Sequence, residues 1–215
     1  MSPSLESELK YRAETDATLE ALASPPDLGP ATLGPANTVE ETDRYLDTEG
    51  RDLARARWAC RLRTREGRTF LSLKGPSQHA PGAALHLRPE LEGPANDDPD
   101  PASWPPSPAR DLLLELTGGA PLSERLALAQ RRIEREVAVG GRRVGLLSLD
   151  RSRVLHGGRE VGVLRVVELE LAPAALVAGL DPAPLERALA AIPGLTPDPA
   201  SKLERALALI SEEGA

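Results

Sequence analysis

The sequence predicts an α+β chain, mainly antiparallel β-sheet, with about eight strands and a few helices. Three observations predict it. Apolar and charged residues alternate in most segments from residue 4 to residue 171, the period of half-buried strands. Gly-Gly turns at 140–141 and 157–158 join such runs back to back, as hairpins require. Helical spacing is confined to short pieces and to the tail. Strands that are apolar on one face and charged on the other have two homes. One is an open sheet with its charged face in water; the other is a closed barrel with a charged lumen and helices outside.

Each element has its own signal. Residues 4–12 set Glu6, Glu8 and Lys10 against Leu9 and Tyr11, the first strand. Residues 14–23 place Leu19, Leu22 and Ala23 on one helical stripe that ends at Ser24–Pro25–Pro26. The stretch "PPDLGPATLGPA" reads as a connector, 38–47 as a second strand, and "TEGRDLARAR" as a short helical or turn segment. Residues 58–74 carry the clearest hairpin: Trp58, Cys60 and Leu62 alternate with Arg61 and Arg63, "REG" turns, and Leu71 and Leu73 alternate with Ser72 and Lys74. Residues 84–94 alternate again but contain Pro89, which predicts an edge position or a bulge. The Pro/Asp-rich run 94–108 predicts an irregular surface loop, leaning towards disorder, with no domain boundary. A helix at 109–119 closes on Gly118. A long hairpin turns at Gly140–Gly141 and reaches Asp150, and another turns at Gly157–Gly158. Helices at 182–191 and 199–212 form the tail, the second capped by Ser201 or Asp198. Residues 1–215 read as a single domain without internal repeat.

Composition narrows the function. A formal net charge of −7 argues against nucleic-acid polymers and anionic membranes as partners bound through overall charge. No apolar run approaches a membrane span and no secretory signal is visible; with the lone Cys60, the expected location is cytoplasmic. Aromatics make up only 2% of the chain, which disfavours a ligand that needs ring stacking.

The charged members of the alternating runs carry the functional argument. Glu-x-Glu occurs in three probable strands, as Glu6/Glu8, Glu90/Glu92 and Glu168/Glu170. Carboxylates two apart on one face repel, and a neutral residue would serve a solvated face as well. Clustered carboxylates suit a hard divalent cation; clustered Arg and Lys, as at Arg61, Arg63 and Lys74, suit phosphate. In "QRRIERE" either register is open, with Arg131 and Arg135 on one face or Arg132, Glu134 and Glu136 on the other. The competing reading of each strand alone is a solvated face.

These residues resemble a known family. "ESELK" is similar to the Glu-x-Glu-x-Lys signature of CYTH domains, the triphosphate tunnel metalloenzymes. "RYLDT", "CRLR", "FLSLKGP", "RPELEGP", "LSLD", "VELEL" and "SKLERAL" follow in the family's order. The resemblance implies a closed eight-stranded antiparallel tunnel with a charged lumen and helices packed outside. It implies Glu6, Glu8, Glu168, Glu170 and Asp150 as metal ligands, with Mg²⁺ or Mn²⁺ as cofactor. Lys10, Arg61, Arg63, Lys74, Lys202 and Arg135, with Arg131, would hold the phosphate chain. Glu90 and Glu92, with Lys10, would serve catalysis by orienting a second metal and water. The chain departs from the pattern at Leu146, where the family often has Glu, and at Ser152, where it often has Gly, so the segment around Asp150 is unusual.

The activity implied is a metal-dependent triphosphatase acting on inorganic triphosphate or on an organic triphosphate. The alternatives are a class IV-type adenylate cyclase, a thiamine triphosphatase, and a non-catalytic polyphosphate- or nucleotide-binding module. The family's helical CHAD partner would have to be a separate chain, and a homodimer is compatible with the sequence. His79, His86 and His156 read as surface histidines, of which only His86 could approach the lumen. Cys60 reads as a small outward-packing hydrophobe. "NDDPD" lacks the spacing of a calcium loop.

Overall fold

The computed structural model describes residues 4–78 and 84–213; His79 lies outside them. In chain order the strands are β1 (Ser4–Ala13), β2 (Asp27–Leu28), β3 (Ala31–Leu33), β4 (Asn37–Thr48), β5 (Ala59–Arg65), β6 (Arg68–Lys74), β7 (Leu85–Ala95), β8 (Leu122–Val139), β9 (Arg142–His156), β10 (Arg159–Leu171) and β11 (Leu195–Pro197). The helices are α1 (Asp16–Ala23), α2 (Asp52–Arg55), α3 (Pro108–Thr117), α4 (Pro173–Val177), α5 (Ala183–Ala190) and α6 (Lys202–Glu213). Eight strands run β8–β4–β5–β6–β7–β1–β10–β9, and β9 pairs with β8 to close the ring. Every pairing is antiparallel. Closure decides between the two homes left open by the alternation.

Alternation then sorts side chains between wall and lumen. Outside, Leu9, Tyr11, Leu147, Leu149, Val167 and Leu169 pack under α1, α4 and α5. On the other side Cys60, Leu62, Leu71 and Leu73 pack under Trp104 and α3. Cys60 is buried there as expected, and burial pushes its thiol up out of the reactive range. The Gly140–Gly141 and Gly157–Gly158 turns have φ near +57°, +76° and +56°, +78°, the left-handed pairs that two-residue hairpins demand.

One helix breaks the rule of helices outside. The inner faces of β4, β8, β9 and β10 change from polar or charged to apolar within two residues: Asp43 to Tyr45, Gln130 to Leu128, Ser152 to Val154, Glu168 to Val166. These apolar residues close one end of the barrel, and α6 covers them through Ala206, Leu203, Leu209 and Ile210. Ser201 and Glu204 start α6 as a reciprocal capping box, which settles the cap in favour of Ser201.

Some local expectations change. Pro89 is neither on an edge strand nor in a bulge. Its carbonyl accepts from Gly75 at 2.8 Å, just past the end of β6, where the missing N–H breaks no ladder bond. The stretch read as a connector contains the β2–β3 hairpin, which extends β8. The 94–108 loop is irregular; within it Trp104 is buried and its Nε1 donates to the Asp98 carbonyl at 2.7 Å. Asn96, Asp98 and Asp100 each accept from the backbone N–H two residues on, at 2.9 Å. Strand β9 runs past Asp150 to His156, so Asp150 lies mid-strand and not at a turn.

Candidate active site

Strand period two puts Glu6, Glu8 and Lys10 of β1 into the lumen, and antiparallel register brings β10 alongside. Glu8 lies opposite Glu170 and Lys10 opposite Glu168. Arg61 and Arg63 of β5, Lys74 of β6, and Glu90 and Glu92 of β7 reach the same space. With Arg132 and Ser148 they line a cavity of about 180 Å³. Twelve residues proposed from the sequence thus share the inner face: Glu6, Glu8, Lys10, Arg61, Arg63, Lys74, Glu90, Glu92, Asp150, Glu168, Glu170 and Lys202.

The lumen is knitted by ion pairs. Lys74 Nζ donates to Glu6 at 2.7 Å and lies 3.2 Å from Glu90. Arg88 donates to Glu6 at 2.7 Å and to Glu8 at 3.1 Å. Arg63 forks onto Asp43 through two 2.7 Å bonds, and Gln130 donates to the same carboxylate at 2.8 Å. Arg132 forks onto Asp150, also through two 2.7 Å bonds. Lys202 Nζ bridges Asp150 at 2.6 Å and Glu168 at 2.7 Å. Such a network is costly to bury and strongly directional once satisfied, so it fixes geometry more than it adds stability.

The carboxylates divide into two electrostatic groups. Burial would raise Glu6, but Lys74 and Arg88 hold it down at about 2. Burial acts the same way on Asp43, Asp150 and Glu168, and is overcome by Arg61 and Arg63, by Arg132 and Lys202, and by Lys202 and Lys10 respectively. Glu8 and Glu170 go the other way. Glu8 is raised by burial and by Glu168, and Glu170 by burial and by Glu6. Lys10 is lowered by burial, against the pull of Glu168 and Glu8.

Two residues proposed for the phosphate chain are not in the lumen. Arg131 is exposed on the outer face, in register with Arg151. Arg135 is buried on the outer side, where its guanidinium donates to the carbonyls of Gly34, Leu22, Pro25 and Leu33. The open register in "QRRIERE" resolves to the other face: Arg132 is the lumen arginine and lies opposite Asp150. Asp150, proposed as a metal ligand, has both oxygens committed to Arg132 and Lys202. His86 is buried and not a surface histidine; His156 is exposed.

Glu41, Asp43, Arg88, Gln130 and Arg132 join the lumen network beyond the residues expected from the sequence. Glu41, Asp43 and Tyr45 do alternate with Thr42, Arg44 and Leu46, but adjacent Glu40 and Glu41 blur the parity. Arg88 shares the parity of Glu90 and Glu92 and was legible on that ground.

Among the described residues, no three carboxylate, imidazole or thiol groups converge in a cluster able to hold a metal ion. The donor chemistry nevertheless fits a hard divalent cation. Glu8 and Glu170 face each other in register and hold their protons more tightly than ordinary carboxylates, chiefly because they are buried and stand near Glu168 and Glu6, so two oxygen donors meet where negative charge is unfavourable unless a cation joins them. The neighbouring carboxylates Glu6 and Glu168 are each held by a lysine, Lys74 and Lys202 respectively.

Fold and site together define a class: a closed antiparallel barrel, sealed at one end, whose lumen sets carboxylate pairs against arginines and lysines. The chain belongs to the CYTH domain family, whose profile matches residues 4–205. Among curated proteins no sequence matches. A solved structure from Hippeastrum, HpAC1, is described as a putative adenylyl cyclase with a dominant triphosphatase activity. It aligns over 94% of this chain and 95% of its own, at 21% identity and a TM-score of 0.65. A putative adenylate cyclase from Bacillus halodurans aligns over 94% and 97%, at 18% identity and a TM-score of 0.58. PH1819 from Pyrococcus horikoshii aligns over 94% and 98%, at 18% identity and a TM-score of 0.52. At these identities the likeness establishes the fold. Among the described residues no helix is long and apolar enough to cross a membrane.

Proposed function

We propose that the protein is a divalent-metal-dependent triphosphatase that hydrolyses inorganic triphosphate, or a triphosphate-bearing organic substrate, to release phosphate. One observation carries the reading: the facing carboxylates Glu8 and Glu170 and the basic wall of Arg61, Arg63, Lys74 and Arg132 border the same small cavity. A site that is acidic on one side and basic on the other suits a polyanion that arrives with its cation.

The residues have distinct tasks. Arg61, Arg63, Lys74 and Arg132 offer positive charge and guanidinium or ammonium N–H groups to the phosphate oxygens, those of Arg63 and Arg132 being the N–H groups outside their forks on Asp43 and Asp150, with Lys10 and Lys202 deeper in. Glu6, Glu8, Glu168 and Glu170 would hold Mg²⁺ or Mn²⁺, which when bound supplies Lewis-acid polarisation of the phosphoryl oxygens. Glu90 is placed to orient water, because Ser72 Oγ (2.6 Å) and Lys74 fix its carboxylate; Glu92 stands beside it at the mouth. The water oxygen bonds to the terminal phosphorus, the bridging P–O bond breaks, and Glu90 accepts the proton. The aromatic beside the phosphate-holding residues, Tyr45, is buried at the end covered by α6, and the cavity lined by Arg61, Arg63, Lys74 and Arg132 has no aromatic in its lining, which favours inorganic triphosphate among the substrates. HpAC1's described triphosphatase activity is of the same class.

The test is a phosphate-release assay with Mg²⁺ and Mn²⁺ on triphosphate, ATP and thiamine triphosphate. Metal-dependent release, fastest on inorganic triphosphate, is expected. Cyclic AMP formed from ATP would replace this reading with a cyclase, and tight triphosphate binding without release would replace it with a binding module.

A further inference from the structure

His86 enters the barrel wall on the inner-face parity of β7, opposite Glu8, and is 3% exposed. Its Nε2 lies 2.9 Å from the Asp198 carbonyl and its Nδ1 lies 3.2 Å from Ser77 Oγ. A carbonyl only accepts, so Nε2 carries a proton and donates it to Asp198. Asp198 is itself 1% exposed and sits at a junction. Its N–H donates to the Lys10 carbonyl at 3.1 Å, while the Lys10 N–H donates to Ala84 at 2.9 Å. Its carboxylate accepts from the Ala200 N–H and from Arg205 Nε, both at 3.1 Å. Four residues later the chain starts α6 at Lys202, whose ammonium shares Glu168 with Lys10.

We propose that His86 is a positioning residue for Lys202. The imidazole holds the Asp198 carbonyl, Asp198 holds Arg205 on the first turn of α6, and the helix start thereby sets Lys202 at Asp150 and Glu168. A lysine stem has several soft rotors, so its ammonium is placed only as well as its backbone is. Backbone bonds at Lys10 tie the two ammonium groups to one frame. The inference rests on the phosphate-holding role proposed above for Lys202.

A double-variant cycle on the full chain tests it, with kcat/KM for triphosphate and thermal midpoints read together. H86L is expected to lower kcat/KM by about tenfold, in the range typical of groups that orient a functional side chain. H86Q, whose amide can still donate to the Asp198 carbonyl, is expected to recover most of that loss. K202A is expected to lower kcat/KM more, and H86L added to K202A to cost almost nothing further, because its effect runs through a side chain already gone. Losses that multiply in the double variant, or H86L with unchanged kcat/KM, would overturn the positioning role. If K202A alone retains wild-type kcat/KM and triphosphate affinity, the phosphate role of Lys202 is wrong and the inference falls with it. Should H86L unfold, H86M, which fills the space without a donor for the Asp198 carbonyl, against K202A,H86M runs the same cycle.

Discussion

Replacing Arg132 with leucine tests the register, the lumen and the site at once. Its guanidinium makes two 2.7 Å bonds to Asp150 and lies 3.4 Å from Glu41 and 3.6 Å from Glu168. Removal leaves buried carboxylates whose nearby cations are then Lys202, Lys10 and Arg63. Breaking a buried pair from one side costs about 3–5 kcal/mol. For a chain of this size that is a fall of roughly 6–20 °C in Tm. The sign with pH is fixed. Asp150 is held below its usual range, so its contribution is present above the unfolded-state value and lost as pH falls through the lower folded value. The gap between wild type and R132L should therefore be full at pH 7 and shrink only below about pH 4. Per folded molecule, kcat/KM should fall by about a hundredfold or more. R131L, on the exposed outer face, should move Tm by no more than about 1–2 °C and leave kcat/KM alone. R135L, which loses four carbonyl contacts outside the barrel, should lower Tm with kcat/KM unchanged. Differential scanning fluorimetry across pH and phosphate release on the soluble fraction give the readouts. Equal effects of R131L and R132L on kcat/KM would refute the register on which the site is built.

Other outcomes follow from the same geometry. E8Q removes one of the two facing carboxylates and should abolish most turnover and weaken Mn²⁺ binding in calorimetric titration; wild-type turnover at saturating Mg²⁺ would contradict the site. Because Glu8 and Glu170 hold protons above the ordinary carboxylate range, cation binding must displace them. Metal affinity should therefore rise with pH through that raised range and then level off, with proton release visible in buffers of different ionisation enthalpy; E170Q should flatten the profile, and affinity independent of pH would count against it. W104A empties a buried site under α3 and should cost about 3–5 kcal/mol, seen as a lower denaturation midpoint with unchanged kcat/KM.

The alternating strands, the two Gly-Gly turns and the helix ending at Gly118 were legible because each is a local property. Period two follows from the pleat, positive φ selects glycine, and a helix end needs its carbonyls turned aside. The Glu-x-Glu pairs were legible for the same reason: residues two apart share a face whatever the strand pairs with. What could not be read was which face of β8 looks inward. In "QRRIERE" both faces carry arginine, and a shift of one residue exchanges them.

The sequence by itself determined strand character, turn positions and the sign of charge on each face, since these depend on neighbours within a few residues. Only the tertiary structure decided that β8 meets β9, that Arg132 and not Arg131 or Arg135 enters the lumen, that α6 seals one end with Lys202 at its start, and that Glu8 faces Glu170. Those facts depend on the registers of strands far apart in the chain. Local alternation cannot encode them, because it looks the same in an open sheet and in a closed ring.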